Sequence, residues 1–396
     1  MHTLLNGLRV VDTTSIVMGP MASQTMADLG AEVIKVEPPE GDLARASGTP
    51  GPDGMGALFA NNNRNKRSLA LDLKRPDCRA ALERLLAGAD IVLINMRPKA
   101  AARLGLDADT LCARYPRLIH CAATGFGTDG PYGGRAAYDD IIQAAAGLAG
   151  LAGRVSGVPA YVPSIMADKI GALHVVHAVL AAVIHRQTTG KGVAIEVPMF
   201  ETLAAFLMNE HLDAATFDAS AAPGYARVLT PHRRPYATAD GWLAVMPYTR
   251  QHWAVMLAMI GREAVVSEAW FADAGERNRR AASLYALLAE ALPQRTTAEW
   301  ATALAATDIP HAAVPEFDAV LDDPHLATQG FFAPSDGLAG RVRSVPQPVR
   351  FAGAGQRADL PPPTLNRDGA AILAGLGYDP DEIARLLAGA PGDAAG

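Results

Sequence analysis

The chain has 396 residues, of which 49% are hydrophobic and 19% charged, so it can fill a large core and is not intrinsically disordered. Its 35 basic and 41 acidic residues give a net charge of −6, which argues against a nucleic-acid-binding protein. The three cysteines, Cys78, Cys112 and Cys121, are an odd number without paired spacing, which favours a reduced intracellular protein without disulfides.

Targeting and membrane-spanning segments are not predicted. The N-terminus lacks the basic start and the apolar run of a signal peptide. The longest apolar segment, Ile170–Ile184, is interrupted by His174 and His177 and is shorter than a bilayer requires. We therefore expect a cytoplasmic protein that binds neither nucleic acid nor membrane.

The first half of the chain alternates short apolar runs with helical patterns. This alternation predicts βαβ units and a doubly wound, parallel, Rossmann-like α/β sheet. The predicted strands are Leu8–Thr13, Glu32–Glu37, Ser68–Leu73, Asp90–Asn95, Leu118–Ala123 and Val193–Val197. The predicted helices lie near Pro20–Leu29, Pro76–Ala87, Asp139–Leu151 and Asp168–His185.

A different pattern begins after Ala215. Residues Tyr236–Val245 predict a hairpin that turns at Asp240-Gly241. Further helices are predicted near Gln251–Met259, Glu276–Ala291, Ala298–Ala306, Gly369–Gly375 and Pro380–Leu387. We expect a large Rossmann-like α/β domain over 1–223, a smaller α+β domain over 224–332, and a C-terminal segment over 333–396 that returns to the large domain.

One glycine motif matches the dinucleotide-binding fingerprint only in part. G-F-G-T-D-G starts at Gly125 after a predicted strand, but Pro131-Tyr132-Gly133-Gly134 follows it and cannot open the helix that would hold a pyrophosphate. The window where a ribose-binding acid would stand, Ala144–Leu151, contains none. The motif therefore predicts a turn-rich loop, and a nicotinamide-dependent dehydrogenase is disfavoured.

Other common catalytic patterns are also weak. His174 and His177 lie three residues apart without a third ligand of suitable spacing, so we predict core or interface histidines and no metal. A G-x-S-x-G elbow is missing from the sequence. Cys121 stands near a predicted strand end with only His120 beside it, and we predict a structural role for it.

Asp168 is the most informative single residue. It stands in P-S-I-M-A-D-K-I-G-A, where a loop becomes an apolar helix. An aspartate at such a position caps the helix in most proteins. The same environment also keeps a carboxylate ionised, as a nucleophile requires. The residues alone leave both interpretations open.

The order of several segments resembles the family III CoA-transferases, the group of formyl-CoA transferase and carnitine CoA-transferase, over essentially the whole chain. The matching segments are G-L-R-V-V-D from Gly7, D-L-G-A-E-V-I-K-V-E-P-P-E-G-D from Asp28, N-R-N-K-R-S-L-A-L-D-L-K from Asn63, N-M-R-P from Asn95, R-L-G-L from Arg103, Y-D-D-I-I-Q-A-A-A-G from Tyr138, A-D-K-I-G-A from Ala167 and L-G-Y-D-P-D-E-I from Leu376. Each segment is modest by itself, but the series in order is very specific.

The resemblance implies the chemistry and the site. The family nucleophile falls on Asp168, which would carry an aspartyl-CoA thioester between an acyl-CoA donor and a carboxylic acid acceptor. Coenzyme A is then a substrate, with no tightly bound cofactor and no metal. The family also forms interlocked homodimers, which we expect here. The implied CoA-binding residues are Val17, Leu71, Lys74, Asn95, Met96, Arg103, Leu104, Tyr138 and Met199.

Three departures argue against copying formyl or oxalyl specificity. Val17 replaces a glutamine of formyl-CoA transferase, and Pro38 replaces a basic residue that often follows I-K-V-E. The tetraglycine lid of that enzyme has no counterpart in Ala221–Tyr225, which holds a single glycine.

Two alternative functions remain open. The α-methylacyl-CoA racemases share the resemblance but use a histidine where this chain has Tyr138, which is a weak base at neutral pH. A non-catalytic CoA-binding protein would require Asp168 to serve only as a cap.

Overall fold

The computed structural model describes residues 1–51, 53–332, 334–337 and 340–388. The chain forms two compact units. The first comprises Met1–Gly147, Tyr161–Phe206 and Gly330–Gly396, and the second comprises Leu148–Ala160 and Leu207–Gln329. The division predicted at residues 223 and 332 stays a prediction.

The first unit is built on a six-stranded, entirely parallel sheet, which confirms the predicted α/β class. The strand order is β3-β2-β1-β4-β5-β6, so the order reverses between β1 and β4. Open sheets of this kind bind ligands beyond the carboxyl ends of the strands at that reversal. The strands are β1 Arg9–Asp12, β2 Glu32–Glu37, β3 Lys66–Ala70, β4 Ile91–Ile94, β5 Ile119–Thr124 and β6 Ala194–Pro198.

The predicted strands agree with the observed bounds to within one residue, except β3. Hydrophobicity placed that strand at Ser68–Leu73, whereas it starts at Lys66, opposite Val33 of β2. The pattern failed because the Lys66 side chain is fully buried in an ion pair. Because charged residues are rarely fully buried, a hydrophobicity pattern does not include such a lysine in a buried strand.

The helices over the first 211 residues belong to the first unit, except Leu148–Ser156 and the end of Met199–His211, and one predicted helix differs from the structure. The predicted helix Asp139–Leu151 is two helices, separated where Gly147 adopts a φ of +93°. The helices are α1 Met18–Asp28, α2 Ala57–Asn62, α3 Pro76–Ala87, α4 Pro98–Arg103, α5 Ala108–Arg114, α6 Asp139–Ala145, α7 Leu148–Ser156, α8 Met166–Thr189 and α9 Met199–His211, with a 3₁₀ turn at Leu43–Ala46.

Helix α8 is longer than its apolar segment suggested. Its 24 residues are long and apolar enough to cross a membrane by length and composition, so the expectation that this segment is too short is wrong. However, 44% of its most apolar window is buried inside the protein, and the helix contacts α1, β5 and β6. These contacts are those of a core helix of the first unit.

The second unit contains a three-stranded antiparallel sheet and helices around its own core. The predicted hairpin forms, and Thr238 N donates to Gly241 O at 2.9 Å across the turn. The predicted helix Glu276–Ala291 is two helices that meet at Arg280. The elements are β7 Tyr236–Ala237, β8 Trp242–Val245, β9 His311–Ala313, α10 Arg250–Met259, α11 Ala274–Arg279, α12 Ala281–Ala291, α13 Thr297–Ala305 and α14 Pro324–Thr328, with 3₁₀ turns at Asp213–Thr216, Glu263–Ser267, Ala269–Ala272, Leu292–Gln294 and Phe317–Asp322.

The C-terminal segment packs on the first unit. Strands β10 Ser335–Gly337 and β11 Gly340–Val342 form a small antiparallel pair, and helices α15 Gly369–Gly375 and α16 Pro380–Leu387 follow. Ser68 N of β3 donates to Asp368 Oδ2 at 2.9 Å, and Ala70 N donates to Asn366 Oδ1 at 3.0 Å. The open edge of the sheet is therefore covered.

Two buried ion pairs lie beneath the loop that follows β1. Lys66 Nζ lies 3.1 Å from Asp12 Oδ2, and Lys35 Nζ lies 2.9 Å from Asp42 Oδ2. Burial opposes the charged form of Asp12, but Lys66 and Lys35 hold the pKa of its carboxyl well below the ordinary value. Lys35 also donates to Thr14 O at 2.8 Å, so the charges fix the backbone of the loop.

We predict that Lys66→Met lowers the free energy of unfolding by about 3–5 kcal/mol, because the variant leaves the Asp12 carboxylate buried without its partner. The matched control is Arg67→Met on the same strand. Arg67 pairs with Glu32, but its side chain is 33% exposed. We expect Arg67→Met to cost no more than about 1 kcal/mol. Urea unfolding followed by circular dichroism measures both values, and equal losses would contradict the prediction.

Candidate active site

A cavity of about 230 Å³ lies beyond the carboxyl ends of β1, β4 and β5, where the strand order reverses. All the residues that line it belong to the first unit. They are Ser15, Ile16, Met18, Leu43, Asn95, Met96, Arg97, Pro98, Ala123, Thr124, Gly125, Phe126, Gly134, Arg135, Ala136, Ala137, Tyr138, Asp168 and Met199.

Asp168 lies in the first turn of α8 and is almost fully buried. Its Oδ1 accepts a hydrogen bond from the backbone N–H of Met18 at 3.1 Å, and Met18 is the first residue of α1. The carboxylate therefore does not cap its own helix. It instead lies at the N-termini of two helices, where backbone dipoles favour a negative charge.

Two glycines allow α1 to begin this close to α8. A Cβ on Gly171 of α8 would lie 2.7 Å from Met18 Cε. A Cβ on Gly19 would lie 2.2 Å from Thr14 Oγ1, in the loop after β1. A larger residue at position 171 would require the Met18 side chain to move, and one at position 19 would clash with Thr14.

Asp139 and Gln143 hold the start of α8 from the opposite side. Asp139 Oδ1 accepts from Asp168 N at 3.1 Å, and its Oδ2 accepts from Gln143 Nε2 at 2.6 Å. Gln143 Nε2 also donates to Ser164 O at 3.1 Å, and its Oε1 accepts from Val162 N at 3.0 Å. Because every polar atom of the Gln143 amide is engaged, the loop before α8 has a defined position.

Burial and the nearby Asp139 carboxylate raise the pKa of Asp168 to about 6, against the smaller effect of the Met18 N–H. The Met18 N–H at the start of α1 favours the ionised form, but its effect on the pKa is smaller than that of burial and of the Asp139 carboxylate. Desolvation and a like charge outweigh the helix effect. At neutral pH roughly nine in ten carboxyl groups are still anionic, so a desolvated nucleophile is available.

The loop after β1 has a strained backbone. Ile16 adopts a φ of +72°, which is rare for a β-branched residue. Its N–H donates to Asp42 Oδ1 at 3.1 Å. The amide of Asn95 accepts from Ser15 N at 3.1 Å and donates to Ser15 O at 2.9 Å. Asn95 therefore both lines the cavity and positions the loop that leads to Met18.

The CoA-binding residues suggested by the sequence fall into two adjacent cavities. Asn95, Met96, Tyr138 and Met199 line the cavity of Asp168. Leu71, Lys74 and Leu104 line a second cavity of about 340 Å³, beyond the ends of β2 and β3. Met96 lines both cavities and joins them.

Val17 and Arg103 lie outside these two sets of lining residues. Val17 is buried directly before α1, so its neighbours Ile16 and Met18 line the cavity instead. Arg103 is exposed in the last turn of α4.

The sequence reasoning missed several residues of the site. Met18 acts through its backbone, which no sequence pattern marks. Asp139 and Gln143 lie four residues apart on α6, and that spacing was a usable signal. Arg97 and Arg135 also line the cavity, and no ion pair with an acidic side chain is found for either in the described part of the chain.

Cys121 is fully buried in β5, as its predicted structural role requires, whereas His174 is half-buried and His177 is exposed, so neither histidine is a core residue and an interface role stays a prediction. Burial raises the pKa of the Cys121 thiol to about 12, so it stays protonated at neutral pH. His174 Nδ1 lies 2.9 Å from Ile170 O of the preceding turn. Over residues 1–51, 53–332, 334–337 and 340–388, no cluster of three or more potential metal ligands forms.

The chain is similar over most of its length to proteins that are named CoA-transferases. The chain is 33% identical over 383 residues to a probable fatty acyl-CoA transferase of Mycobacterium tuberculosis, covering 93% of this chain and 97% of that protein. It is 30% identical to a succinate–glutarate CoA-transferase of Agrobacterium fabrum, covering 94% and 95%. The crystal structure of a CAIB/BAIF family protein from Brucella suis superposes with a TM-score of 0.79 at 32% identity, covering 95% of this chain and 100% of that one. Residues 5–369 match the family model of CoA-transferase family III, and the chain belongs to that family.

Proposed function

We propose that this protein transfers coenzyme A from an acyl-CoA donor to a free carboxylic acid through a thioester on Asp168, in the cytoplasm. The observation that carries the proposal is the buried Asp168 carboxylate in the strand-end cavity, with Met18 N–H bonded to Oδ1. A desolvated carboxylate is a better nucleophile than a hydrated one, and it is held where the ligand binds.

The reaction consists of two half-reactions. Asp168 attacks the donor thioester, which releases the CoA thiolate and leaves a mixed anhydride of Asp168 and the donor acyl group. The thiolate attacks the Asp168 carbonyl and expels the donor acid, which leaves an aspartyl-CoA thioester. The acceptor carboxylate then attacks this thioester, and the released thiolate attacks the acceptor carbonyl. The products are the new acyl-CoA and the original Asp168 carboxylate.

Met18 N–H has a further role in this scheme. It donates to Asp168 Oδ1 in the free enzyme. When the thiolate attacks the Asp168 carbonyl, negative charge develops on that oxygen. A backbone donor already aimed at it stabilises the transition state without reorganisation.

We assign the two cavities joined at Met96 to a CoA thioester. The reacting carbonyl belongs near Asp168, and the longer part of the ligand extends toward Lys74 at the ends of β2 and β3. Lys74, Arg97 and Arg135 supply positive charge for phosphate and carboxylate groups.

We predict that incubation with succinyl-CoA and no acceptor acid produces a CoA adduct on the peptide that contains Asp168, together with free succinate. Mass spectrometry of the digest locates the adduct. Asp168→Asn is the matched control, because its Oδ1 can still accept from Met18 N while it lacks the nucleophile, and we expect no adduct.

The same control separates loss of chemistry from loss of fold. The folded pKa of Asp168, about 6, lies above its unfolded value of 3.8, so the ionised group opposes folding above pH 6. Asp168→Asn should therefore be more stable by up to about 3 kcal/mol near neutral pH, and equal to the wild type below the unfolded pKa.

An adduct on Cys121, or α-deuteration of a 2-methylacyl-CoA in heavy water without an acceptor, would contradict the proposal.

We also predict that the rate of the first half-reaction falls as the pH drops through about 6, because protonation of Asp168 removes the nucleophile. Asp139→Asn removes the like charge and should move this acidic limb to lower pH, with a reduced maximal rate from weaker positioning. Asp140→Asn, exposed on the same helix, is the control. Rapid-mixing measurements of CoA release over a pH series give the pH at which the rate falls to half of its maximum. If this pH is the same in Asp139→Asn as in the wild type, the result counts against the assignment.

We further propose a homodimer, supported by apolar side chains that the first unit leaves exposed. Leu173 and Ile184 on α8 are 58% and 63% exposed, and Phe206 on α9 is 54% exposed. We predict a dimer by light scattering at micromolar concentration, because burial of such side chains stabilises an obligate interface. Ile184→Asp should weaken it. A monodisperse species of 41.4 kDa would refute the proposal.

A further inference from the structure

The second unit has a cavity of its own, of about 380 Å³. Three arginines line it, and none of the described lining residues is an aspartate or glutamate. The full set is Tyr225, Arg227, Tyr248, Thr249, Arg250, Trp253, Ala274, Arg277, Asn278, Ala281, Leu284 and Tyr285. Cationic and aromatic groups therefore surround a concave space without internal neutralisation.

Arg227 is held in place by aromatic side chains. Its Nε donates to Tyr285 Oη at 3.3 Å, and its guanidinium carbon lies 4.2 Å from the centre of the Tyr248 ring. Tyr285 is itself buried in the core of the unit. A stacked guanidinium fixed in this way presents its remaining N–H groups in a defined plane, the geometry that recognises carboxylate and phosphate.

The two other arginines add charge from neighbouring elements. Arg277 Nη1 donates to Phe271 O at 2.6 Å and to Ala272 O at 3.0 Å, which fixes one edge of its guanidinium. Arg250 is the first residue of the ten-residue helix α10, which Thr249 caps. The positive end of this helix dipole therefore adds to the arginine charges.

Some arginines elsewhere in the unit have acidic partners, whereas others, such as Arg154 and Arg233, form no ion pair with an acidic side chain in the described chain. Arg279 lies 2.6 Å from Glu276, and Arg262 lies 3.9 Å from Glu290. The three cavity arginines are left without such a partner in the described chain, although the protein as a whole is acidic. An uncompensated cluster beside aromatic rings is the pattern of a ligand site.

We propose that this cavity binds a small organic anion that combines a carboxylate or phosphate with a flat ring. The anion pairs with Arg227 and Arg250 at the start of α10, and the ring packs against Tyr248 and Tyr225. The proposal needs none of the transfer chemistry proposed for Asp168.

The distribution of tryptophan gives a direct measurement. All four tryptophans of the sequence, Trp242, Trp253, Trp270 and Trp300, lie in the second unit, and Trp253 lines the cavity. Tryptophan fluorescence therefore reports on this unit. We expect a saturable change on titration of the full chain with adenosine monophosphate or with benzoate. The probe that binds more tightly distinguishes a phosphate ligand from a carboxylate ligand.

Arg250→Gln is the main variant, because Arg250 is exposed and its loss does not disturb the core. We expect binding of the responding probe to weaken by about tenfold or more, as for loss of a charge-assisted hydrogen bond. Arg227→Gln should do the same, and Arg262→Gln, outside the cavity in the same unit, should bind as the wild type. Three results would overturn the proposal. They are the absence of a saturable response to either probe, equal weakening of probe binding in Arg262→Gln, and weakening of probe binding by Lys74→Ala in the first unit.

Discussion

A carboxylate that is buried loses its hydrogen bonds to water, and the protein must supply other groups that stabilise its charge. The candidate active site meets this requirement at Asp168. Burial and Asp139 disfavour the anion, whereas Met18 N–H and the ends of α1 and α8 favour it. The balance leaves the pKa at about 6, low enough for ionisation at neutral pH and high enough for reactivity. The group therefore opposes folding at neutral pH, whereas in the proposed mechanism it attacks a thioester. Such a trade is common at catalytic sites.

Such a balance requires that Met18 N stay within hydrogen-bonding distance of the carboxylate. The loop that precedes it contains Ile16 in a left-handed conformation, which is unfavourable unless neighbouring groups impose it. Asp42 binds the Ile16 N–H, and Lys35 bonds both Asp42 and the carbonyl of Thr14. The buried charges of the sheet thus determine the position of the nucleophile's hydrogen-bond donor, although none of them touches the ligand cavity.

The sequence predicted the sheet well because buried strands are apolar runs, and that signal is local. It misplaced β3 because Lys66 is buried through a partner, Asp12, that lies 54 residues earlier. The position of Asp168 at a helix start was also local, but its role came from the family resemblance. Its raised pKa depends on Asp139, which lies 29 residues earlier in the chain, so no local pattern carries it. Val17 and Met18 are adjacent in the sequence, and only the structure shows that Met18 lines the cavity whereas Val17 does not.

The protein contains two kinds of enclosed cation: some are neutralised by a buried carboxylate, and others, which line cavities in both units, have no acidic partner in the described chain. In the first unit Lys35 and Lys66 are completely buried and each meets a carboxylate, so the cations are neutralised within the fold. In the second unit Arg227 and Arg277 are anchored by a tyrosine hydroxyl and by backbone carbonyls, which orient a guanidinium without cancelling its charge. Neutralised cations hold a backbone in place, whereas oriented and uncancelled cations attract an anion from solution. Buried lysines therefore hold the loop beside Asp168 in the first unit, and oriented arginines line the proposed anion site in the second.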